Sequence, residues 1–213
     1  MARALGVTID STGDGAADDH RWRGRTAGAV IGEYLVEQDE ALVAGDLSLR
    51  RGLGGIHPTR VAARRLRSTL RVFAGFFDPD RAQAFDAELA WYSGLLGGVR
   101  DREVQRARFT AAIAELPEEL VLGPVAARIE QHLRTEQLQH QKTLDKAMNS
   151  KRYLALLTES RRWVTDAPFT PAAKDKSAQL RAAVGAADRK VTKHLAAGLA
   201  PGGGDGELLP AGA

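Results

Sequence analysis

The sequence predicts an all-α protein, and three observations carry that expectation. Apolar residues recur at helical spacing through most of the chain, Gly and Pro interrupt it at helix-length intervals, and no β-branched or aromatic run alternates over the length of a strand. Helices with one apolar stripe must bury it against each other, so a helical bundle follows.

Residues 1–24 are rich in Gly, Asp and Arg without apolar periodicity and are expected to form a flexible arm, with order beginning near Arg25. A first helix is expected from about Thr26 to Ala44, where Val30, Ile31, Tyr34, Leu35, Gln38 and Leu42 follow a helical period. The glycines at 52, 54 and 55 break the chain, and His57–Pro58 opens the next helix, since proline costs little in a first turn. That second helix should run to Phe77, about 30 Å, and stop at Asp78–Pro79. A third is expected over 81–96, with Phe85, Leu89 and Tyr92 inward, ending near Gly97–Gly98. Helical character resumes over 100–116 until Pro117. Further helices are expected over 120–148, 151–165 and 174–200, and residues 201–213 form a Pro/Gly-rich tail.

With 213 residues the chain suffices for one domain with a real core, or one domain plus a fragment of a second. It holds no apolar run of the roughly 18 residues a membrane span needs, no export-type leader pattern and no cysteine, so a cytoplasmic protein with no membrane partner is expected. A net charge of +3 says little about partners, but its distribution says more. Between Arg50 and Arg71 lie seven arginines, at 50, 51, 60, 64, 65, 67 and 71, and no acid.

At 100° per residue, His57, Arg60, Arg64, Arg67 and Arg71 share a face about 80° wide, whereas Leu66, Leu70, Phe73 and Phe77 occupy the opposite side. Arg65 falls on the flank. Like charges at these spacings repel by a few tenths of a kcal/mol per pair, and no acid within the helix relieves them. Two readings stay open at this level: a face that is solvated or paired with acids of neighbouring helices, or one that binds an anion. Arginine suits phosphate because its planar fork donates two parallel charge-assisted hydrogen bonds, and His57 sits where first-turn N–H groups also favour an anion. The histidines at 20, 57, 132, 140 and 194 are scattered, and no phosphate loop, HExxH pair or GxSxG elbow occurs, so no metal, cofactor or catalytic residue is expected.

The stretch from Ile56 to Phe73, IHPTRVAARRLRSTLRVF, resembles the signature of the CHAD family, the conserved histidine α-helical domain. The segment LLGGVRDREV (95–104) is similar to that family's LG-x-x-RD-x-x-V motif, and KRYLALL (151–157) to a later helix start. The resemblance covers about residues 27–195. It implies antiparallel four-helix bundles with a basic groove, non-catalytic binding of inorganic polyphosphate, localisation to polyphosphate granules, and association with a triphosphate-tunnel enzyme. Carried over, the polyphosphate-contacting residues are His57, Arg60, Arg64, Arg65, Arg67, Arg71 and Arg100, with Asp101 orienting an arginine. The family's second basic helix finds no counterpart at 191–200, so the expectation is one full bundle (about 27–165) and a partial second (174–200), in which a homodimer could rebuild the groove. The alternatives are non-specific nucleic-acid binding, which would contact the phosphate backbone, and a structural or degenerate domain with weak polyanion affinity. An enzyme acting on phosphorylated substrates ranks behind both, because no carboxylate cluster for magnesium is apparent.

Overall fold

The computed structural model describes residues 24–117, 123–175 and 177–199. The expected arm, apart from Gly24, and the expected tail lie outside the described residues. The described chain forms helices α1 (Ala27–Arg50), α2 (Ile56–Val72), α3 (Pro79–Ala114), α4 (Val125–Met148), α5 (Lys151–Thr165) and α6 (Ala178–Leu199), with short 3-10 turns at Ala74–Phe76 and Pro171–Lys174. An isolated β-bridge pairs Phe77 with Phe169. The protein is all-α, as its periodicity requires.

Local chemistry sets most helix ends. Thr26 caps α1 by accepting from the Ala29 N–H at 3.2 Å, and Ser150 caps α5 by accepting from Tyr153 N–H at 3.2 Å. Asp78 caps α3 by accepting from the Arg81 N–H at 2.9 Å, and Pro79 supplies the first helical position, where a missing N–H is no loss. Helix α2 instead follows Gly55, whose φ of 105° lies in the left-handed region that glycine adopts without strain, and it has no side-chain cap.

Helices α1, α2, α3 and α5 enclose the core, and α4 lies along α3. Ile31, Leu35 and Leu42 of α1, Ala62, Ala63, Leu66 and Leu70 of α2, and Phe85, Leu89, Tyr92 and Leu96 of α3 are all buried. Phe85 stacks on Trp163 with ring centroids 5.1 Å apart, and Phe77 packs against Trp163 and Phe169. Leu180 of α6 is fully buried and fixes the start of that helix on the bundle. Helices α1 and α2 approach closely at Gly45, where a Cβ would stand 2.0 Å from Thr59 Oγ1. Only glycine there lets α1 and α2 meet so closely.

A partly buried polar network joins α1, α3, α4 and α5. Tyr153 donates to Asp46 Oδ1 at 2.9 Å, and Arg50 holds both Asp46 oxygens at 3.0 Å while also donating to the Met148 carbonyl at 2.9 Å. The Tyr92 hydroxyl lies 3.4 Å from that of Tyr153. Burial above all raises both phenols, Tyr92 to about 12 and Tyr153 further. Arg50, first in the run of seven arginines, is therefore a bundle fastener.

The structure corrects the expected break at Gly97–Gly98. Helix α3 continues through both glycines to Ala114, because neither adopts a positive φ and each serves as a seat for a side chain of another helix. Helix α1 also runs to Arg50 rather than Ala44, and α2 ends at Val72, where the 3-10 turn takes over before Phe77. The start expected at Leu120 lies outside the described residues; from Gly123, with φ of 68°, the chain leads into α4 at Val125. The start expected at Lys174 for the last helix is instead the end of a 3-10 turn, and α6 begins at Ala178.

Candidate polyanion-binding face

Helix α2 presents its arginines beside α3, and α3 supplies the acids that α2 lacks. Arg67 Nε donates to Asp86 Oδ1 at 2.8 Å, Arg71 Nη2 donates to Asp86 Oδ2 at 2.9 Å, and Arg60 Nη1 donates to Asp101 Oδ1 at 3.2 Å. Burial pushes the Asp86 carboxyl up, but hydrogen bonds from Arg67 and Arg71 outweigh it and hold the group below the ordinary carboxylate range. Pairing with acids of a neighbouring helix, one of the two readings the sequence leaves open, thus holds for part of the stripe.

The relief is incomplete. Four guanidiniums face two carboxylates, and Arg67 and Arg71 divide one of them. Arg64 and His57 are exposed and make no hydrogen bond or ion pair among the described residues. Asp101 is 66 % exposed, so its bond to Arg60 is a surface pair worth about 0–1 kcal/mol and readily exchanged for a stronger anion. The face is therefore partly neutralised, with an excess of positive charge centred on Arg64 and the first turn of α2.

The two remaining candidates lie apart. Arg65 is exposed on the α1 side, close enough for its charge to oppose the upward push that burial gives the Tyr34 hydroxyl. Arg100 of α3 is half-buried and bonded to Glu103 Oε2 of its own helix at 3.0 Å. The structure thus brings together His57, Arg60, Arg64, Arg67 and Arg71, and leaves Arg65 and Arg100 on its margins.

Sequence reasoning missed Asp86, which carries no motif, and the two glycines against which basic side chains rest. The Arg60 guanidinium lies over Gly97, with Nη1 3.5 Å from where a Cβ would be, and His140 of α4 lies over Gly98. The sequence signal for the glycines was a pair in a region otherwise helical, within the segment similar to LG-x-x-RD-x-x-V. Among the described residues no group of three or more His, Asp or Glu could hold a metal ion, and no helix is long and apolar enough to cross a membrane.

The described chain is an all-α bundle with an arginine-rich face on α2. The chain belongs to the CHAD domain family, whose pattern matches residues 33–209. It is similar to the solved structure of PptA from Streptomyces chartreusis, at 28% identity over 81% of this chain, with a TM-score of 0.72. The chain spans 61% of the length of that structure. Comparison with curated proteins finds no match. Membership links the chain to a family associated with polyphosphate metabolism and with non-catalytic modules.

Proposed function

We propose that this chain binds inorganic polyphosphate, without catalysis, on the α2–α3 face formed by His57, Arg60, Arg64, Arg67 and Arg71. The observation that carries the reading is the unbalanced charge. Arg64 and His57 have no partner among the described residues, and their neighbours share too few carboxylates. A linear polyanion supplies closely spaced charges that bridge successive guanidiniums along one helix face, each as a charge-assisted hydrogen bond. Arg65 and Arg100 belong to the rim, where they meet a long chain only as it leaves the face.

Titration with long-chain polyphosphate at two salt concentrations tests this. Binding should weaken as salt rises, because neutralising the polyanion releases its condensed counterions. Arg60→Ala combined with Arg64→Ala should weaken binding while leaving helicity and thermal midpoint nearly unchanged, since both side chains lie outside the core. Loss of folding in this variant would mean that the face is a structural ion-pair network. Duplex DNA of equal charge serves as competitor, and equal or better binding of DNA would replace polyphosphate with a general phosphate-backbone reading. The proposal extends to a homodimer in which a second copy's α2 face closes over the same polyanion. Light scattering that finds a monomer with and without polyphosphate would exclude that extension alone.

A further inference from the structure

Two stretches of the chain share the spacing Arg-x-x-Ala-apolar-x-x-Glu: RAQAFDAE (81–88) in α3 and RYLALLTE (152–159) in α5. In each, the four matching residues stand at i, i+3, i+4 and i+7 and so share one helix face. The two faces line one open groove between α3 and α5. Phe85 and Leu156 are buried at its floor, with Ala84 and Ala155 exposed beside them.

The helices run antiparallel here, so unlike ends meet. Arg81 Nη2 donates to Glu159 Oε1 at 3.3 Å. Arg152 Nε donates to Glu88 Oε2 at 2.7 Å, with its guanidinium carbon 4.1 Å from the centre of the Trp91 ring. Charge therefore alternates around the four corners of the groove: Arg81, Glu88, Arg152, Glu159. These side chains are 35% to 51% exposed, so each keeps hydrogen-bonding capacity toward the outside. The corners sum to zero charge, and the groove draws neither a polyanion nor a uniformly basic or acidic segment.

What fits an alternating square is a second one, and another copy of this chain supplies it. Consider a twofold axis that lies between two such surfaces and crosses the helices at right angles. Arg81 of each copy then meets Glu88 of the other, and Arg152 meets Glu159. An apolar centre inside a charged rim is the usual anatomy of a protein interface, and the small alanines let the two floors approach. We infer that the α3–α5 groove is a self-association surface through which two copies form an isologous dimer. The face is one helix pair wide and about 22 Å long, the length of α5. That is small for a permanent interface, so a dimer of micromolar strength is expected. Asp86, which holds Arg67 and Arg71, stands about 140° round α3 from Arg81, so the arginine face points away from the junction and stays open in both copies. This dimer forms without polyphosphate, unlike one closed over a shared polyanion by the α2 faces.

Sedimentation of the full chain without polyphosphate tests it. Up to on the order of 100 µM in low salt, a monomer–dimer equilibrium should appear, and added salt should weaken it. Arg81→Glu brings like charges together at two contacts of the dimer, and Glu88→Arg does so with the opposite sign, so each should weaken self-association about ten-fold or more. Mixed in equal amounts, the two variants regain opposite charges at those contacts and should associate again. Thermal midpoints establish that both are folded, and Ala155→Lys, which obstructs the groove outside the ion pairs, should weaken the dimer even if a charge reversal costs the fold. Arg60→Ala with Arg64→Ala should dimerise like the unmodified chain. A monomer at every concentration overturns the inference, as does a mixture of folded variants that fails to recover association. A dimer that needs polyphosphate and is lost in the Arg60 and Arg64 variant also overturns it, in favour of pairing by the α2 faces. Whether the chain binds polyphosphate is read separately, by the titration.

Discussion

Asp86 accepts from two guanidiniums at once, and this residue decides how much of the arginine face is available. Its carboxyl titrates below its unfolded value, so its contribution to stability is complete above the unfolded pKa and is lost as pH falls through the folded one. The thermal midpoint of the unmodified chain should therefore fall more steeply below about pH 4 than that of Asp86→Asn. The same substitution should free Arg67 and Arg71 for ligand and tighten polyphosphate binding about three-fold, the scale of one partly exposed ion pair. Unchanged affinity would mean that these two arginines lie outside the bound path. Leu66 and Leu70 make the opposite case on the same helix, being 2% and 3% exposed. Leu66→Ala should cost about 2–5 kcal/mol in denaturant unfolding, with polyphosphate affinity unchanged under conditions where the variant is folded.

Glycine acts differently in different elements, and the spacing of the elements depends on it. At Gly55 it permits the left-handed turn into α2. At Gly45 it brings α1 against Thr59, and Gly45→Ala should destabilise the protein by about 1–3 kcal/mol, read by denaturant midpoint, because buried Thr59 has little room to withdraw. At Gly97 and Gly98 it lets α2 and α4 lay basic groups on α3. The sequence could not separate these roles. A glycine pair reads as a helix end by local propensity, and only the contacts of Arg60 and His140 explain why α3 tolerates it through 36 residues. Phe73 and Phe77, by contrast, were legible as core from the wheel although α2 stops before both, since the 3-10 turn keeps them on the buried side.

At the scale of the molecule, bound polyanion should stabilise the fold by mass action. Long-chain polyphosphate at about 100 times its dissociation constant is worth about 2.7 kcal/mol, which should raise the thermal midpoint by several degrees, less so at high salt. A midpoint indifferent to saturating polyphosphate would contradict binding to the native state.

The sequence by itself determined the all-α class, most buried faces and the likeness to the CHAD family, because hydrophobic periodicity and a contiguous motif are properties of neighbouring residues, but it did not determine that α3 runs unbroken through Gly97 and Gly98. It also placed five basic residues on one face of α2, which is a matter of helical pitch. The tertiary structure decided what that face meets. Asp86 lies 15 residues from Arg71, Asp101 lies 41 from Arg60, and His140 rests on a different helix from the glycine it covers. Charge balance and ligand path depend on distances between helices, and those are set by packing.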